Sequence, residues 1–264
     1  MRIRTMVCAA LLSMLCCGAI ATAQEIKVAA AADLQFALKD LAAQYERQSG
    51  VKLSLSFGSS GNFFAQILNG APFDIFFSAD NEYPRKLEEA RLAEPGTRAV
   101  YARGRIVLWA PPGLAVDFAK NGLSALLDPK IQKVAIANPE HAPYGRAAEQ
   151  ALRKAGVYDR LQPKFVIGEN ISQAAQFVQS GNAQAGIIAL SLALSPAMKS
   201  GQRWEVPPDL YTPLEQSVVV LKSSANKAAA LAFLKYLQSS EARELLSRYG
   251  FTLPSATDGN TTKP

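Results

Sequence analysis

Apolar and polar residues follow two periods along this chain, and the periods keep changing places. IKVAAAA (26–32) is a short apolar run of the kind that makes a buried strand. LQFALKDLAAQYERQSG (34–50) then returns its apolar residues every three to four positions, as an amphipathic helix does, and Gly50 ends it. VKLSLSF (51–57) alternates as a half-buried strand. NFFAQILNG (62–70) reads as a helix, FDIFFSA (73–79) as a buried strand, and EYPRKLEEARL (82–92) as a helix with a charged outer face. This β-α-β-α-β order predicts a parallel sheet covered by helices.

The same grammar resumes further on. GRIVLWAP (104–111) predicts a strand stopped by Pro111, Pro112 and Gly113, and KVAIANP (133–139) another strand. YGRAAEQALRKAG (144–156) predicts a helix closed by Gly156. KFVIGE (164–169), SQAAQFVQSG (172–181) and AQAGIIAL (183–190) read as strand, helix and strand. QSVVVLK (216–222) predicts a last strand, and NKAAALAFLKYLQSSEARELLSRYG (226–250) one or two amphipathic helices. Two α/β halves of similar length predict two lobes, with the terminal helices packing back on the first. Ligands in such sheets sit beyond the carboxyl ends of the strands, which here means the cleft between the lobes.

The two ends of the chain lie outside this pattern. MRIRTMVCAALLSMLCCGAIATAQ (1–24) has Arg2 and Arg4, an apolar run, and Ala21-Thr22-Ala23 before Gln24: a basic head, an apolar middle and a small-residue cleavage site. We read residues 1–23 as a secretory signal peptide. Lobe 1 is expected at 24–102 and 214–254, lobe 2 at 103–213, and a disordered polar tail at 255–264. All three cysteines (Cys8, Cys16, Cys17) fall in the signal segment, so the remaining chain has no disulfide and no thiolate for metal or nucleophile chemistry. Cys16 and Cys17 raise the question of a lipid anchor. The formal charge of +6 becomes +4 without Arg2 and Arg4, and no Lys/Arg run is interleaved with aromatics, which argues against nucleic acid.

Four strand-to-helix junctions carry the candidate chemistry: Ala32-Asp33-Leu34, Gly58-Ser59-Ser60-Gly61, Asn138–Gly145 and Gly168–Ser172. A helix start exposes backbone N–H groups and positive potential, and so favours an anion. Asp33, Ser59 or Ser60, and Asn170 are placed to cap these helices. Gly58 and Gly61 let backbone approach a ligand closely. The only histidine is His141, with no G-x-S-x-G elbow for a serine triad, no phosphate-binding P-loop and no dinucleotide fingerprint. Binding is favoured over catalysis.

In order and spacing, AAAADL (29–34), SFGSSGNFFAQI (56–67), GAPFDIFFSAD (70–80), ANPEHAPYGRAAEQAL (137–152), GENISQAA (168–175), AGIIAL (185–190) and RYGFTLP (248–254) resemble the periplasmic molybdate-binding proteins of ABC transporters. The resemblance runs from Ile26 to Leu253. It implies a two-lobed, class II periplasmic binding protein fold holding molybdate or tungstate in the interlobe cleft, without a cofactor, and a monomer in the periplasm that serves a membrane permease. The family's ligand positions fall on Asp33, Ser60, Tyr144 and Ile171; for Ile171 the backbone N–H is what matters. A further tyrosine position falls on Ala189, so that hydroxyl is missing, and Tyr144 is a substitute from another direction.

Asp33 departs from the hydroxyl or amide residue of the best-known members. An ionised carboxylate cannot donate a hydrogen bond. Three readings stand: it caps its own helix and leaves only the backbone N–H for the ligand, which we take as the expectation; it accepts a proton from a protonated oxyanion; or it is itself protonated. Other readings of the chain are a binding protein for phosphate or sulfate, and an exported hydrolase. A cytosolic sensor domain of this architecture is disfavoured by the signal segment.

Overall fold

The computed structural model describes residues 25–254. The signal segment and the polar tail of the sequence analysis lie outside them. Ten strands run in chain order: β1 Glu25–Ala31, β2 Lys52–Gly58, β3 Ile75–Ser78, β4 Ala99–Gly104, β5 Ile106–Ala110, β6 Val134–Ala137, β7 Phe165–Gly168, β8 Ala185–Ala189, β9 Gln202–Glu205 and β10 Leu214–Val220. The helices are α1 Gln35–Ser49, α2 Ser60–Leu68, α3 Glu82–Glu89, α4 Phe118–Asn121, α5 Pro143–Lys154, α6 Tyr158–Leu161, α7 Ile171–Gln179, α8 Leu190–Ala193, α9 Lys227–Tyr236 and α10 Ser240–Arg248.

The strands form two five-stranded sheets, ordered β2-β1-β3-β10-β4 and β7-β6-β8-β5-β9. Each is mixed rather than purely parallel. β1 pairs in parallel with β2 and β3, but β10 runs antiparallel to both β3 and β4. β6 pairs in parallel with β7 and β8, while β5 runs antiparallel to β8 and β9. The reversed strands are those that carry the chain between sheets: β4 leads through Arg105 directly into β5, and β9 leads back to β10. A strand entering from the other lobe has no helical crossover to bring it round in parallel.

Each sheet is buried on both faces, which explains the continuous apolar runs of β1, β3, β5, β6 and β8. On one face of the first sheet, Leu34, Leu38 and Leu41 of the β1–α1 region pack with Phe77, Tyr101, Phe233 and Leu245. On the other, Phe63 and Ile67 of α2 meet Phe76, Leu87 and Val219. The second lobe has its own core, including Leu108, Ile136, Leu152, Val178 and Ile187; Ala31, Ala32 and Ala79 of the first lobe join it. Those three small residues stand at the carboxyl ends of β1 and β3, where the lobes touch. Gly50, in a left-handed conformation (φ 72°), stops α1 as predicted.

Candidate functional site

The four junctions singled out in the sequence converge. A small cavity is lined by Ala31, Ala32 and Asp33 from the end of β1, Gly58, Ser59 and Ser60 at the start of α2, Ala79 after β3, Ala142, Pro143 and Tyr144 at the start of α5, and Ile171 at the start of α7. Asp33, Ser60, Tyr144 and Ile171 are therefore brought together. Ala189 is not among the lining residues; it precedes α8 as its N-cap. Asp33 is the only lining residue with a formal charge, and no Lys or Arg lines the cavity.

Local hydrogen bonding decides which donors are free. Ser59 caps α2: its Oγ accepts from Asn62 N at 3.3 Å and lies 2.9 Å from His141 Nδ1. Gly61 N donates across the lobes to His141 O at 2.9 Å. The Ser60 N–H, first in the helix, has no intrahelical acceptor. The fully buried Ser60 Oγ accepts from Ala79 N at 2.9 Å. With its acceptor side used, the hydroxyl keeps its proton to give. At α7, Asn170 Oδ1 takes the N–H groups of Ser172 (3.0 Å) and Gln173 (3.1 Å), leaving that of Ile171 without an intrahelical partner. At α5, Pro143 occupies the first position, where its missing N–H is no loss, and Tyr144 follows.

The expected cap at Asp33 is corrected by the structure. Asp33 lies inside a 3-10 turn, Ala32–Leu34, and neither this turn nor α1 has a side-chain cap bond. Its Oδ2 instead accepts from Gln216 Nε2 at 2.6 Å and Tyr144 Oη at 3.0 Å. Gln216 is oriented in turn by Tyr101, whose hydroxyl donates to Oε1 at 2.7 Å. Two buried donors draw the carboxylate away from a capping bond, since a buried donor left without a partner costs about 1–3 kcal/mol, while the N–H groups of Asp33 and Leu34 stay close enough to favour its charged form. The Tyr144 hydroxyl, expected as a direct substitute for the one missing at Ala189, gives its proton to Asp33.

Asp33 is 1% exposed, and its Oδ1 has no hydrogen-bond partner among the described residues. Burial raises its carboxyl from 3.8 to about 7, outweighing the opposing effect of Gln216, Tyr144 and the backbone N–H groups of Asp33 and Leu34. The same burial, with Asp33 beside it, pushes the Tyr144 hydroxyl well above its usual value of 10.0. Gln216 and Tyr101 were missed in the sequence. A glutamine opening the apolar run QSVVV was the available signal, since a polar side chain in a buried strand needs a partner.

Contacts across the cleft hold the lobes together around this cavity. Arg146 of α5 lies 2.6 Å from Asp80 Oδ2, and Ser172 Oγ donates to Gln35 Oε1 at 2.7 Å. Ser191 Oγ donates to Asp33 O at 2.8 Å, and Asn62 bonds Glu169. Among the described residues no group of His, Cys, Asp and Glu is arranged to hold a metal ion, and no helix is long and apolar enough to cross a membrane.

Two sheets joined by paired crossings, with helix starts from both lobes around one small cavity, define a two-lobed ligand-capturing binding protein of the class II type. Residues 26–252 match the family described as bacterial extracellular solute-binding protein, and the chain belongs to that family. It is 41% identical over 231 residues to the molybdate-binding protein ModA of Rhodobacter capsulatus, covering 88% of this chain and 89% of that protein. It is also 41% identical over 235 residues to ModA of Azotobacter vinelandii, covering 88% and 92%. The structure of the Azotobacter vinelandii periplasmic molybdate-binding protein is similar with a TM-score of 0.82 at 38% identity, over 87% of this chain and all of that one.

Proposed function

We propose that this protein captures molybdate or tungstate in the periplasm and hands it to an ABC transporter permease. The observation that carries the reading is the convergence of helix starts from both lobes on one cavity, with the Ser60 hydroxyl and first-turn N–H groups left to donate. Such donors suit a tetrahedral oxyanion, since N–H dipoles supply positive potential without a cation that would need its own counter-charge. Ser60, the backbone of Ile171 and Tyr144, and the Asp33 region are the contacts we assign. No resident cofactor is required, because the oxyanion is the cargo.

The lobes are taken as 24–102 with 214–254, and 103–213. Residues 1–23 are read as the export signal and the mature protein as a monomer. Interlobe bonds such as Gly61 N to His141 O and Arg146 to Asp80 belong to the closed state, and closure around ligand is the usual behaviour of two-lobed binding proteins.

Asp33 bears on the choice of anion. An ionised carboxylate ~4 Å from a dianion is repelled by about 8 kcal/mol at an effective dielectric constant near 20. A site that binds molybdate must therefore hold Asp33 neutral, whereas a protonated anion such as hydrogen phosphate could donate to it. Thermal shift with molybdate, tungstate, sulfate and phosphate separates these readings. A ligand at a thousandfold excess over its Kd stabilises by about 4 kcal/mol, readily seen as a raised Tm. A shift with molybdate and tungstate but little with sulfate or phosphate is the expected result; a shift with phosphate alone overturns the assignment.

A further inference from the structure

Asp33 is the one group lining the cavity whose chemistry the donor count leaves unexplained. One oxygen, Oδ2, is saturated by two donors, Gln216 Nε2 and Tyr144 Oη. The other, Oδ1, is buried, has no partner, and belongs to a residue that lines the cavity. Two donors on Oδ2 leave it no room for a proton, so a proton on this carboxyl belongs on Oδ1. We propose that Asp33 binds the oxyanion as a neutral acid, its Oδ1–H donating to the ligand, so that each dianion captured above neutral pH takes up one proton from solvent. The inference rests on the oxyanion reading above and extends it, turning the residue that departs from the family pattern into a donor.

The surroundings leave Asp33 as the group that titrates. Burial between the closed lobes already lifts its carboxyl to about 7, and a neighbouring dianion pushes in the same direction. Tyr144 on α5 and Tyr101 on β4 are both held well above their usual 10.0 by burial and stay neutral. Helices α7 and α8, which pack on the Asp33 turn, carry no titratable side chain. On α1, Lys39 lies over the Phe57 ring and Asp40 accepts from Tyr249 Oη, both away from the cavity. Lys52 of β2 sits at the far end of its strand beside Glu25. On β10, Glu215 pairs with Arg103 of β4. His141, before α5, contacts Ser59 and Glu169 rather than Asp33, and Arg146 of α5 is paired with Asp80.

Calorimetric titration with sodium molybdate, in buffers of different ionisation enthalpy from about pH 6 to about pH 8.5, counts the protons directly. The wild-type protein is expected to take up close to one proton per molybdate at the upper end, with Kd rising up to about tenfold per pH unit above pH ~7. Asp33→Asn, which keeps an oxygen for Tyr144 and Gln216, is expected to bind with no proton uptake and a pH-independent Kd. Molybdate binding by the wild-type protein that is flat in pH and independent of buffer overturns the proton coupling while leaving the ligand assignment intact. No binding of molybdate at any pH overturns the ligand assignment and the coupling with it. Wild-type binding independent of buffer overturns the coupling even if the variant folds poorly, and buffer dependence that persists in Asp33→Asn assigns the proton to another group and overturns it as well.

Discussion

Replacing Asp33 by asparagine is expected to change how the stability of the folded protein, with its lobes closed, responds to pH. In the unfolded chain the carboxyl titrates at its ordinary value of 3.8; in the folded protein burial lifts it to about 7. A gap of roughly three units corresponds to about 4 kcal/mol, at 1.36 kcal/mol per unit. Between these values the folded protein keeps a proton that the unfolded chain has released. Stability therefore falls by about 1.4 kcal/mol per pH unit as pH rises through that window. The contribution is fully present below 3.8 and is gone above about 7. Asparagine does not titrate, and its side-chain oxygen still accepts from Gln216 and Tyr144. The variant and the wild type should be about equally stable near pH ~4, and the variant more stable by up to about 4 kcal/mol near pH ~8. Asp80, also raised by burial despite Arg146, is present in both proteins and cancels in the difference. Urea denaturation of both proteins across this range gives the difference curve. A difference independent of pH, or a variant less stable at pH ~8, refutes the account of a carboxyl held neutral by burial.

Three other outcomes follow from the geometry. Ser60→Ala removes a donor to the anion and should weaken molybdate binding by about ten- to a hundredfold, and it also strips Ala79 N of its acceptor at 2.9 Å, lowering stability by about 1–3 kcal/mol; calorimetry and denaturation check both. Ser59→Ala loses the α2 cap and the His141 contact, at about 0.5–2 kcal/mol of stability, with a smaller effect on affinity than Ser60→Ala. Gly61→Ala places a Cβ 2.6 Å from Tyr83 Oη and 2.7 Å from His141 O, so it should hold the lobes apart; small-angle scattering should show compaction with molybdate in the wild type and none in the variant.

The strands and helices with a clear period were legible in the sequence, and so was the meeting of four helix starts, because each junction carries its own cap or turn residue. β9 was not, since QRWE is short and turns only half-buried Gln202 and Trp204 inward, too little of an apolar face to announce it. β4 was missed for a related reason: AVYARG mixes buried and exposed positions, and its pairing with β10 shifts register between Gln216 and Ser217. Strand direction was also hidden. β10 reads like any buried strand, and only its arrival from the other lobe makes it antiparallel. The capping assignment for Asp33 followed sound local chemistry and failed through partners 111 and 183 residues away, Tyr144 and Gln216, which no local window contains. Ser59 and Asn170 cap as predicted because their oxygens keep their local N–H donors, Ser59 even with His141 Nδ1 2.9 Å from its Oγ.

The central claim, an oxyanion held by helix starts between two lobes, is tested most directly by anomalous scattering from molybdenum in crystals grown with molybdate. The account predicts one strong anomalous peak in the cavity lined by Asp33, Ser60, Tyr144 and Ile171, with ligand oxygens within hydrogen-bond distance of the Ser60 hydroxyl and the Ile171 N–H. A cavity without anomalous signal at saturating molybdate, or a peak elsewhere on the surface, contradicts it.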